Sequence, residues 1–509
     1  MAQSSPPAIK RHESVATLFS EGAGGKIYAE NYRGKRISGA YGDVGANESA
    51  VIFAANTYLN GLGGGIIKIA ARSIAPQTYI ALSAKVGMVG LGRDITVFDM
   101  SGIAEASPTG RSIQAGTGSY LSDFSISCPS SGFERSIWMA SDSFAERIGV
   151  AGGFGTVAGF RVGGAINNIV LRDIKIANAY PGAGYYTDAI YIGNGATNVR
   201  VDGFDIDTVC RGIEVQNGVK GAWISNGILK NIGPAASPIP ALDVHNHTDT
   251  ETPCEDVHFK NIELYACEAG IGCATGKSVN ISWDTIREDA CGWNTVPTST
   301  HATKIFVNNP VISPGTISAM FNIDGSLEHS EILNCVNTYA IRLGGTGKLF
   351  DVIITPAASS PATYGLDVAG TGGRVKNFSA IGTWGIRSTR LQGIDTVFED
   401  CAFSNSALYE ATTNNRFRRC TFTSLVNPTY GTGNKFEDCT YKAKNAGSSV
   451  GTGAEQTIAS GLYWDLSDAY IFIPATGERR GVPVSSKNIL ATVDAGVTFY
   501  WFARSAYAI

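Results

Sequence analysis

Between residues 189 and 276 apolar and polar positions alternate in short bursts that share one form. They read AIYIGNG (189–195), GIEVQNG (212–218), ALDVHNH (241–247) and GIGCATG (270–276). The first place is Gly or Ala and the second Ile or Leu. The form returns as AIRLGG (340–345), GLDVAG (365–370) and GIRSTR (385–390). Alternation at period two marks a strand with one covered face. It sends Ile190, Ile192, Ile213 and Val215 inward, and Tyr191, Gly193, Glu214 and Gln216 outward. Asn194, Asn217 and Asn246 share the inward parity before a turn, which predicts a stacked asparagine ladder. A second strand goes with each burst: NIVLRDIKI (168–176), NVRVDGFDI (198–206), DVHFKNIEL (256–264) and SVNISWDTI (278–286).

Further along, FEDCAF (398–403), FRRCTF (417–422) and FEDCTY (436–441) recur at a fixed interval of 19 residues. That period is too short for paired-helix repeats, and the segments are aromatic and β-prone. One turn of a parallel β-helix fits, each coil lying about 4.8 Å above the last. Phe, Cys and the closing aromatic then stack inside. The pairs between them alternate in sign from coil to coil, so that neighbours attract. The expected fold is all-β, a parallel β-helix solenoid. Coil lengths vary: Ile190 to Ile213 is 23 residues, while Ile213 to Leu242 and Leu242 to Ile271 are 29 each. The surplus predicts loops at 177–188, 234–240 and 247–254, beside the strands bearing Glu214 and Asp243. Loops on a rigid scaffold are where function concentrates.

Composition narrows the partners. A formal net charge of −4 over 509 residues gives no reason to expect nucleic acid or an anionic membrane. No apolar run approaches the roughly 18 residues of a membrane helix. The opening MAQSSPPAIKRHES has no apolar core of a secretory leader. The ten cysteines form no C-x-x-C pair; we read them as reduced thiols acting as small hydrophobes.

Near the start stands GAYGDVGANESAVIFAANTYLNGLGGGIIKIA (39–70). Asn47 is placed to N-cap a helix over about 48–58 with Val51, Ala54 and Ala55 on one face, which would cover the open end of a solenoid. Gly42-Asp43, the helix and Gly63-Gly64-Gly65-Ile66-Ile67 resemble the opening of the pectate-lyase-like superfamily. Asn47-Glu48-Ser49 stands where that family carries Asp-Asp-Thr, and Ala70 or Ala71 where it carries Pro. With the coils, the polar first residues and a distinct C-terminal block, the chain looks most like a bacteriophage tailspike. The resemblance implies a right-handed β-helix and a homotrimeric virion tail spike, made in the host cytoplasm, that binds and cleaves a bacterial capsule or O-antigen polysaccharide. It implies residues 1–35 as an arm to a phage tail or baseplate protein, 36–445 as the β-helix, and 446–509 as a β module for trimerisation or glycan contact. KAKNAGSSVGTGAE (442–455) is read as a linker. No cofactor is expected.

Glycoside hydrolysis needs two carboxyl groups flanking one bond. The outward column Tyr191, Glu214, Asp243, Gly272 offers two on adjacent coils, and stacked acids repel, which raises one pKa as a general acid requires. Glu214 and Asp243 are therefore the catalytic candidates of an endo-glycosidase, with Asp188 a third acid. A solvated column that happens to carry acids is the plain alternative, and Asp367 beside Arg342 and Arg387 shows such a case. His245, outward on the strand of Asp243, is a candidate for positioning substrate. It is equally a candidate base of a polysaccharide lyase acting by β-elimination with Arg211 and Tyr185 or Tyr186. A metal set of Asp243, His245 and His247 is conceivable but not preferred, because His247 falls at the turn. Tyr185, Tyr186, Tyr191, Arg211, Gln216 and Trp384 are candidates for substrate binding. Trp384 forms a column with Tyr339 and Tyr364 that suits stacking on sugar or capping the core. A non-catalytic receptor-binding spike is the remaining alternative.

Overall fold

The computed structural model describes residues 15–505 except 23, 104–110, 128–134, 153–157, 180–187, 234–239, 246–251, 274–277, 297–299, 309–318, 337–338, 359–363, 381, 383, 385–386, 404–405, 409–411, 423–424, 427–431, 442–443, 460–465, 477 and 486–487. Two compact units, Met1–Ile317 and Ser318–Ile509, divide the chain. Each winds as a right-handed parallel β-helix.

In the first unit one wall is a parallel sheet of eight strands, from Ile80–Ala81 through Ala158–Gly163, Asp188–Gly193, Arg211–Gln216 and Pro240–His245 to Ala269–Cys273. The rest of each coil is a longer strand, such as Asn167–Ala179, Thr197–Val209 and Lys220–Ile232, stacked in parallel register. These long strands are bent. Asn168 and Asp173, then Asn198 and Gly203, then Gly221 and Asn226, adopt positive φ at matching places. One left-handed residue turns the chain and shifts the inward parity by one. In Thr197–Val209 the buried residues are accordingly Val199, Val201, Phe204, Ile206 and Val209. Asn and Asp tolerate that conformation, and their side chains bond from coil to coil: Asn198 Nδ2 donates to Asn168 Oδ1 at 2.6 Å, and Asn261 Nδ2 to Asn226 Oδ1 at 2.7 Å.

The asparagine ladder is therefore real but not inward. Asn217 Nδ2 donates to Asn194 Oδ1 at 3.1 Å, and both have positive φ on the exposed side of a turn. The turn reverses the direction that strict alternation assigns. Asn246 lies outside the described residues.

The N-terminal helix runs Glu48–Gly61 and buries Val51, Ile52, Ala55 and Leu59. Asn47 precedes it, but its side chain does not cap it; Asn47 Oδ1 instead accepts from Asp43 N at 2.9 Å, closing the turn before the helix. Within the segment read as an arm, Val15–Ser20 pairs antiparallel with Lys26–Asn31 and parallel with Gly65–Ile69.

In the second unit the 19-residue period stacks as read. Phe398, Phe417 and Phe436 are in register, with ring centroids 4.7 Å apart at each step. Cys401, Cys420 and Cys439 are buried and free, and each thiol donates to a backbone carbonyl of the coil before. Arg419 forks onto Asp400 at 2.7 and 2.8 Å, and Arg418 faces Glu399 at 3.8 Å.

Residues 442–455 are not a linker throughout. Lys444–Val450 pairs antiparallel with Thr498–Ser505, because backbone bonding needs no large side chains. With Leu466–Ile473 and Glu478–Val482 it makes a four-stranded sheet, beside a three-stranded one, over a core of Ile471, Ile489, Phe499 and Trp501.

Candidate active site

The predicted column exists. Arg161, Tyr191, Glu214, Asp243 and Gly272 stand one above another on the eight-stranded wall of the first unit. Beside it, Gln216 is in register with His245, and Asp188 with Arg211. Strict alternation would put Asp188 and Arg211 inside, on the parity of Ile190 and Ile213. They nevertheless meet the acids, Arg211 lying between Asp188 and Glu214. A Cβ on Gly212 would meet Leu229 Cδ2 at 2.1 Å and the Ala241 carbonyl at 2.3 Å. That crowding accounts for Gly at this coil, whereas Ala189 and Ala241 hold the same place with a Cβ.

The acids are not solvated. Although they point away from the apolar interior, Asp188, Glu214 and Asp243 are buried to within 4% of full cover. Arg211 Nη1 contacts Glu214 Oε1 directly and lies 3.8 Å from Asp188 Oδ1, which has no hydrogen-bond partner among the described residues. His245 Nδ1 is 3.9 Å from Asp243 Oδ2. Three carboxyls thus share one guanidinium in a dry setting, where like charges cannot all be tolerated. Burial first, and the Glu214 charge second, push the Asp243 carboxyl up to about 7 and Asp188 well above the usual carboxylate range; Arg211 offsets only part of this. Burial and mutual repulsion thus favour the protonated forms of Asp188 and Asp243.

Tyr191 and Gln216 serve each other. Gln216 Nε2 donates to Tyr191 Oη at 2.6 Å, and the Arg161 guanidinium lies 4.4 Å over the Tyr191 ring. Gly193 makes this possible, since a Cβ there would meet the Tyr191 hydroxyl at 2.4 Å. Arg161 escaped the sequence reading because its burst, GFRVGG (159–164), carries Phe where the others carry Ile or Leu. The signal was the Gly at its first place. Trp138 and Gln114 continue the same column below Arg161.

Tyr185, Tyr186 and His247 lie outside the described residues. Trp384 belongs to the second unit, is buried, and does not continue the tyrosine column. Tyr364 is in register with Arg387, and Leu366 with Thr389. The burst GIRSTR is therefore phased three residues later than its apolar pattern suggests, and Arg390, not Arg387, stands over Asp367. The polar Thr389 takes the inward place that Ile386 seemed to claim.

No family model and no curated protein matches the chain. Among solved structures it is similar to a double mutant of the tailspike of E. coli bacteriophage HK620, at 11% identity and a TM-score of 0.44, over 90% of each chain. A structure of that tailspike in complex with a pentasaccharide gives 11% and 0.42, again over 90% of each. The A-module of the Azotobacter vinelandii mannuronan C-5 epimerase is similar at 11% and 0.36, over 76% of this chain and 92% of that one. The fold assignment itself rests on the strand registers, which wind coil upon coil in parallel.

Proposed function

We propose that the chain is a tailspike that binds and cleaves a bacterial surface polysaccharide, capsule or O-antigen, as an endo-acting glycoside hydrolase. The observation that carries this reading is the stacking of Glu214 on Asp243 in a dry cluster with Asp188 and Arg211. Asp243, protonated near neutrality, gives its proton to the glycosidic oxygen as the bond to the anomeric carbon breaks. Glu214, ion-paired to Arg211, acts from the other side, taking a proton from attacking water or bonding the anomeric carbon itself. Asp188 and Arg211 hold the charge balance, and His245 stands beside Asp243 to orient substrate. The proposal includes a homotrimer, with an N-terminal attachment to a phage tail and a C-terminal module for assembly or glycan contact.

The test is product analysis over a panel of capsules and O-antigens. A hydrolase releases new reducing ends without the ultraviolet absorbance of an unsaturated uronate. Appearance of that absorbance would replace hydrolysis by β-elimination. Retention of glycan with no release would leave a binding spike only.

A further inference from the structure

On a wall of the second unit Asn322, Arg342, Asp367 and Arg390 stand in register, one per coil. Asp367 is 2% exposed. Arg342 Nε approaches one of its oxygens at 3.7 Å and Arg390 Nε the other at 4.0 Å. Both distances exceed a hydrogen bond, and Asp367 Oδ1 has no hydrogen-bond partner among the described residues. Two guanidinium groups thus converge on one carboxylate without closing on it. Their side chains are 50% and 25% exposed, so both reach the surface.

An aromatic pair adjoins them. Tyr339 and Tyr364 stack with centroids 5.3 Å apart and planes inclined by 18°, and both are half-buried. Arg390 Nη1 donates to Tyr339 Oη at 2.7 Å, and its guanidinium lies 5.6 Å over the Tyr364 ring. The cluster has an excess of one positive charge, the opposite of the acid-rich cluster in the first unit. Arginine presents a planar fork that matches a carboxylate. An aromatic face with polar neighbours suits the apolar face of a sugar ring.

We propose that Arg342, Arg390, Tyr339 and Tyr364, arranged over Asp367, form a binding subsite for an anionic sugar residue, a uronate or another carboxylate-bearing saccharide. The sugar carboxylate takes donors of the Arg342 fork, the ring lies against the tyrosine pair, and the buried Asp367 carboxylate beneath them fixes where the two guanidinium groups stand. This deepens the glycan reading and rests on it, naming the substrate class as an acidic polysaccharide.

Equilibrium binding to the full chain tests it, with uronate oligosaccharides of several linkages, their carboxyl-reduced neutral forms, and inorganic phosphate as probes. The expected result is binding of at least one uronate oligosaccharide, with affinity at least about tenfold lower for its neutral form and for phosphate. Arg342→Gln should lower that affinity about tenfold, and Arg342→Lys, which keeps the charge without the fork, should not restore it. Thermal unfolding of both variants checks that the fold stands. Neutral forms binding as well as charged ones, phosphate competing as well as uronate, or Arg342→Gln binding like the parent would each overturn the subsite. Cleavage of a glycan with no uronate affinity refutes the subsite alone, whereas uronate binding without any cleavage refutes the hydrolase reading alone.

Discussion

In the proposed hydrolysis Asp243 is the general acid, and burial and Glu214 push its carboxyl up to about 7. As a general acid it must be protonated to act, so cleavage should fall as pH rises through about 7. A pH–rate profile measures that limb, and Asp243→Asn should remove activity by roughly 10²- to 10⁴-fold with the fold intact. Glu214→Gln should do the same. Stability follows the same proton. The folded chain binds it more tightly than the unfolded chain, so this contribution is fully present below the ordinary carboxylate range and is lost as pH rises through about 7. Denaturant unfolding at several pH values should show stability declining over that interval, and Asp243→Asn should flatten the decline. Asp188 acts in the same direction. The sequence identified these acids from parity and spacing. Their burial was not legible there, because it depends on the neighbours that the folded chain brings around each side chain.

At the scale of the element, the controlling feature is the single residue at each corner. Left-handed Asn, Asp or Gly bends the long strands, and Gly212 at the head of one short strand lets the coil settle close against Leu229 and the Ala241 carbonyl. The sequence shows these residues but not their consequence, since alternation alone gives no hint of a parity slip. That slip is why the asparagine ladder lies outside. Gly212→Ala tests this close approach. The backbone carbonyl of Ala241 cannot give way as a side chain end would, so the variant should lose about 1–3 kcal/mol in denaturant unfolding. In the second unit, Phe417 is fully buried between Phe398 and Phe436. Phe417→Ala should cost about 3–5 kcal/mol, read as a lowered midpoint of unfolding.

For the whole molecule, coil stacking makes residues distant in number into neighbours, and every candidate site here is built from such neighbours. Sedimentation equilibrium checks the assembly within the proposal: three times the 53.5 kDa chain is expected, and a monomer at all concentrations would remove the trimer from it. By itself the sequence determined the repeat, the strand faces and the column that puts Glu214 under Asp243, because side-chain alternation and a fixed period are local properties of the chain. Only the tertiary structure decided which corners slip the parity, that Arg390 rather than Arg387 meets Asp367, and that Asp188 and Asp243 are buried enough for their carboxyls to be pushed up. Those outcomes depend on how one coil settles on the next and on which side chains that brings together. Neither is encoded in any single stretch of residues.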